Sequence, residues 1–175
     1  MNTGHAVALT SALLILAVTG QAKAPTPGPE HQALAFWIGT WHIEAEGKPN
    51  PLFPEGEYRA TMTGEWFQGG FHVVCHTDWT GALGAYSVLK SVGYDPVTED
   101  YYIYTIDGRG GGTVYRGTMR DDVWTYTAEM TLEGKPLTFR WTIRNPSPGV
   151  ITWTSNLSID GGPWILAGEA RATRQ

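Results

Sequence analysis

The chain has 175 residues and 42% hydrophobic content, enough for one domain with a sizeable core and rather short for two. Charged residues make up only 17%, the formal net charge is −5 and no basic run occurs, which argues against nucleic acid or an anionic membrane surface as a partner. Abundant Gly, Trp and Tyr suit twisted β structure, and a single cysteine, Cys75, rules out an intramolecular disulfide.

Residues Ala6 to Val18 carry no charge and lead to Ala22-Lys23-Ala24, a small-x-small pattern. Residues 1–24 therefore read as a secretory signal peptide, which predicts a periplasmic or secreted protein. The apolar run is shorter than the roughly 20 residues that cross a bilayer, so no stable membrane span is expected after cleavage. Residues 25–30 form a Pro-rich spacer, and 31–175 the folded domain.

Glu30 to Ile38 suit a short apolar plug helix, with Pro29 at a permitted first-turn position. Strand one is expected over Thr40 to Glu46, with Trp41, Ile43 and Ala45 on one face and His42, Glu44 and Glu46 on the other. The stretch Gly47-Lys48-Pro49-Asn50-Pro51, with Pro54, cannot pair inside a sheet and reads as a lid loop. Strand two covers Tyr58 to Phe67, strand three Phe71 to Trp79, and strand four Ala85 to Tyr94. Strand five, Tyr101 to Asp107, is aromatic on both faces. Strands six and seven run from Thr113 to Met119 and from Val123 to Leu132. Strand eight alternates most cleanly, with Leu137, Phe139, Trp141 and Ile143 inward and Thr138, Arg140, Thr142 and Arg144 outward, until Asn145-Pro146-Ser147-Pro148-Gly149 breaks it. Strands nine and ten cover Val150 to Ile159 and Trp164 to Thr173. About ten short antiparallel strands with Gly, Pro, Asp and Asn turns predict an all-β, up-and-down barrel. Left open, such a meander would expose two long aromatic edges.

The Gly39-Thr40-Trp41 start of strand one, behind a short apolar helix, resembles the opening signature of the lipocalin and calycin barrels. Gly93-Tyr94-Asp95-Pro96, Tyr101, Ile106-Asp107 and Gly117 extend the likeness to a bacterial lipocalin-like family of unknown function. The resemblance implies that Gly39 and Trp41 close the narrow end, with Trp41 under an Arg from the last strand, either Arg171 or Arg174. It implies no catalytic residue. The nitrobindin barrels are more distantly similar, but their iron ligand is a His near the C-terminal end, whereas the last His here is His76.

Chemistry-bearing patterns are scarce. His42 and Glu44 share a face about 6.5 to 7 Å apart, whereas His72 and His76 lie about 13 Å apart along strand three. A zinc site would need His42, Glu44 and His72 or His76 to converge across two strands. Alternation turns His42 and Glu44 toward solvent, so no metal and no cofactor is expected. Asp107 before a Gly-rich turn reads as a hairpin residue bonding its own backbone. What remains is an apolar interior, with Tyr58, Met62, Phe71, Val73, Leu137, Phe139, Trp141 and Ile143 as its candidate lining. The expected function is an exported barrel binding a small hydrophobic or aromatic ligand. A cavity enzyme (isomerase, cyclase or lyase) and an envelope-interaction module are the alternatives. The lid loop marks the expected mouth.

Overall fold

A computed structural model describes residues 24–175, so the expected signal peptide, save its last residue, lies outside the described residues. The chain opens with one α-helical turn, α1 (Pro29–Gln32), continued by a 3-10 turn over Ala33–Trp37. Pro29 sits in the first turn of α1, and the Gly28 N–H donates to His31 Nδ1. Ten strands follow: β1 (Gly39–Gly47), β2 (Gly56–Trp66), β3 (His72–Gly81), β4 (Tyr86–Asp95), β5 (Asp100–Asp107), β6 (Gly112–Arg120), β7 (Val123–Leu132), β8 (Lys135–Ser147), β9 (Val150–Ile159) and β10 (Ile165–Arg174). Each pairs antiparallel with its sequence neighbour. β1 pairs with β10, from Trp41 opposite Arg174 to Gly47 opposite Gly168, so the sheet closes on itself. Closure leaves no unpaired edge.

The interior follows the period-two pattern of the sequence. Trp41 and Ile43 of β1, Met62 of β2, Val73 and Cys75 of β3 and Val92 of β4 are buried in one cluster with Ile103, Tyr126, Leu137 and Leu157. Leu34 and Trp37 of the plug belong to the same cluster. Burying a residue of this size contributes about 1.5–3 kcal/mol, so the plug is held by the barrel rather than by its own turns.

Two sequence expectations shift. Phe71 precedes β3 instead of starting it. β8 runs on through Asn145 and Pro146 to Ser147, with a register irregularity between Arg144 and Ser147. Proline cannot donate to a ladder, but a bulge leaves its position unpaired and lets the strand continue.

The two barrel ends differ in character. At one end the plug fills the opening. Gly64 of β2 makes this possible, since a Cβ there would stand 2.1 Å from the Trp37 carbonyl oxygen. The Arg174 guanidinium lies 4.6 Å from the Trp41 ring centroid and also donates to the Phe36 carbonyl. Trp41 Nε1 donates to the Trp37 carbonyl, joining the first strand to the plug. Arg171 instead pairs across from Glu44 on the exposed face. At the other end lie the β1–β2 loop and the β5–β6 hairpin, and the barrel is open.

Candidate functional site

The open end leads to a cavity of about 330 Å³, at the lower end of the range for small-molecule sites. Its walls are aromatic and aliphatic, with Trp79, Tyr115, Trp141 and Trp153 among them, and the plug residue Trp37 contributes to its lining. Leu52 and Phe53 of the β1–β2 loop also line it. That loop is pinned by one side chain. Asn50 Nδ2 donates to the Lys48 carbonyl at 2.7 Å, and its Oδ1 accepts from the Leu52 and Phe53 amides. The Tyr58 hydroxyl fastens the far side by donating to the Pro54 carbonyl.

Opposite the lid, the β5–β6 hairpin places Arg109 at the mouth, over the Tyr86 ring at 4.2 Å. Asp107 accepts from the Arg109 backbone amide at 2.8 Å and also pairs with its guanidinium. The side chain therefore bonds its own turn, as the sequence suggested, and the ion pair holds the Asp107 carboxyl below the usual range.

Among the described residues, the interior holds one cationic side chain. On β4, Lys90 points inward in phase with Tyr86, Val88 and Val92 and is only 7% exposed. It lines the cavity, with Nζ 5.8 Å from the Trp37 ring centroid and 5.7 Å from that of Trp141. Its one polar contact is the Met62 thioether sulfur at 4.0 Å, a weak acceptor. Burial away from water pushes the Lys90 pKa down. Across the strand pair stands Cys75, fully buried, whose thiol is pushed up to about 11 by burial, partly offset by the nearby Lys90. Tyr115 is also pushed up, to about 12, by burial. Its ring stacks on Trp141, which in turn donates from Nε1 to Ser155 Oγ at 3.0 Å.

Of the residues singled out in the sequence, Tyr58, Met62, Phe139, Trp141 and Ile143 come together around this cavity. Phe71 and Val73 stand apart from its lining. Phe71 packs edge-on against His31 of α1, and Val73 pairs with Trp66 and Val92 near the plugged end. Leu137 is fully buried in the core, also outside the lining. Gly39, Trp41 and Arg174 meet at the closed end, and Arg171 does not join them. His42 and Glu44 face outward, and His72 Nε2 is engaged with the Tyr102 hydroxyl at 2.7 Å. Among the described residues no three His, Cys, Asp or Glu side chains are grouped to hold a metal ion.

Sequence reasoning left Trp79, Tyr115 and Trp153 out of the lining, and the most consequential residue it missed is Lys90. Its signal was present, because it shares a strand face with Tyr86, Val88, Val92 and Tyr94. A lysine in an apolar phase of a strand is an inward lysine unless the strand lies outside the core.

Among the described residues, no helix is long and apolar enough to cross a membrane. A comparison with curated proteins finds no match. Among solved structures, the barrel is similar to that of Rv2717c from M. tuberculosis, with a TM-score of 0.59 at 17% identity, covering 85% of this chain and 98% of that one. It is also similar to the S-type phycobiliprotein lyase CPES from Guillardia theta, with a TM-score of 0.51 at 14% identity and the same coverage of each chain. At such identities the likeness concerns the fold. In sequence, residues 26–174, nearly the whole described chain, match one family, and the chain accordingly belongs to the family described as protein of unknown function, DUF1579.

Proposed function

We propose that this protein binds a small, largely apolar molecule inside its barrel, without using the cavity for catalysis. The observation that carries the reading is the interior itself. A barrel plugged at one end keeps a cavity of about 330 Å³ with aromatic walls, a buried lysine among few polar side chains and a pinned loop over the mouth. Mainly apolar walls with few polar groups are the usual composition of a ligand site. The carboxylates near the cavity, Asp107 among them, belong to its rim, so among the described residues no carboxylate stands beside Lys90 to form an acid–base pair with it. The Gly39-Thr40-Trp41 signature and the Trp41–Arg174 contact support kinship with the calycin ligand carriers. The uncharged run from Ala6 to Val18, followed by Ala22-Lys23-Ala24, supports export, so the ligand would be met in the periplasm or outside the cell.

The test is a titration with Nile red followed by fluorescence, together with native mass spectrometry of protein purified from its own host. The expected result is saturable one-to-one binding that is lost in Ala170→Phe, which fills the cavity from β10. Dye uptake that is unsaturable, or unchanged in that variant, would remove the cavity from the function. A co-purifying mass would name the ligand class.

A further inference from the structure

A lysine inside an apolar barrel is costly to bury unless something answers its charge. In other settings the answer is a carboxylate from the protein, but here the inward neighbours of Lys90 are Met62, Cys75, Trp37 and Trp141. None supplies a carboxylate, and Thr77 Oγ1, buried on the facing strand β3, makes no hydrogen bond to Lys90 or to any other group. A second donor is orphaned nearby: Trp37 Nε1 is buried without a hydrogen-bond partner, and the Trp37 ring lines the same cavity as Lys90. Two donors lacking oxygen acceptors, on the plug and on β4, therefore belong to side chains that border one empty space. The missing partner is an acceptor, and the cavity is where it can enter.

Resting on the reading that the cavity binds an apolar ligand, we infer that this ligand is a carboxylic acid that enters acid-first, its carboxylate taken by Lys90 Nζ between the Trp37 and Trp141 rings. The charge count favours a carboxylate over a more highly charged group such as a phosphate monoester. Lys90 offers one positive charge, and the cation at the mouth, Arg109, is already paired with Asp107. A second negative charge on the buried head would go unanswered. The layout fits an elongated amphiphile. Lys90 lies four residues down β4 from Tyr86 at the mouth, about 13 Å of extended strand, and the wall between them is apolar. The apolar body would fill that length, with Leu52 and Phe53 of the lid closing over its tail.

The inference is tested by titrating the full chain with matched acid and alcohol probes, using tryptophan fluorescence because Trp37 and Trp141 flank Lys90. The pairs are decanoate with 1-decanol, and 1-naphthoate with 1-naphthalenemethanol, on wild type and Lys90→Met. Wild type is expected to prefer at least one acid over its alcohol by tenfold or more. Lys90→Met is expected to lose that preference while binding the alcohol as wild type does, which also shows that the variant is folded with its cavity intact. Equal binding of acid and alcohol by wild type, or an undiminished preference for the acid in Lys90→Met, overturns the acid-first assignment and leaves the cavity reading standing. Failure of both pairs to bind wild type overturns the assignment together with the reading on which it rests.

Discussion

Replacing Gly64 by alanine probes the seat of the plug. The added methyl would stand 2.1 Å from the Trp37 carbonyl oxygen and 3.3 Å from Cys75 Sγ. Carbon and oxygen settle at about 3.3 Å or more, so the plug backbone must lift by about 1 Å. It cannot do so alone. Leu34 and Trp37 are buried in the common core, and Trp41 is tied to the same carbonyl. Overpacking a tight core costs about 1–3 kcal/mol, and the upper part of that range applies because the obstructing atom is backbone, not a flexible side chain. For a domain of this size 1 kcal/mol moves the midpoint by about 2–4 °C, so a drop of about 5–10 °C is expected in calorimetry or thermal circular dichroism. Gly111→Ala is the control, since a Cβ there makes only ordinary contact, 3.6 Å from Asp107 Cβ. A Gly64→Ala protein that melts within a degree of wild type would show that the plug does not rest on this glycine, and the account of the closed end would fall with it.

The other expectations concern the seal and the core thiol. Arg174→Ala removes the guanidinium over Trp41 and the bond to Phe36, and should cost about 1–2 kcal/mol in urea unfolding. Arg171→Ala should stay within about 0.5 kcal/mol of wild type; equal losses for the two would refute the assignment of Arg174 to the seal. Cys75 should resist Ellman's reagent at pH 8, because its thiol is pushed up to about 11 and is fully buried. Labelling should follow the opening of the fold that exposes the thiol and speed up when denaturant is added. Immediate stoichiometric labelling of the native protein would contradict this burial.

Much of the barrel was legible because its physics is local. Strand eight needed only the alternation of Leu137, Phe139, Trp141 and Ile143, and turns announced themselves through Gly, Pro and Asp. The mouth was legible too, since a loop holding Pro49, Pro51 and Pro54 cannot pair and must lie over an end. What stayed hidden depends on distances between strands. Strand alternation assigned Phe71 and Val73 to the interior but could not give their height in the barrel, and both lie toward the plug. The choice between Arg171 and Arg174 needed the β1–β10 register, which no local pattern sets. Lys90 was hidden for a different reason. Its residue type argues for solvent while its strand phase argues for the core, and only the fold decides between them.

The pairing of β1 with β10 also governs how the chain can reach its native state. Trp41 and Arg174 are about 130 residues apart in sequence yet directly opposite in the sheet, whereas every other ladder joins consecutive strands. The hairpins can therefore form early, each across a short loop, but the seam carries the loop-closure entropy of almost the whole domain. Until it forms, the meander is an open ribbon with β1 and β10 as free, aggregation-competent edges. The seam should thus set both the folding rate and the window of vulnerability, and Arg174, which fastens it, would act on the kinetics of that last step as much as on the finished barrel.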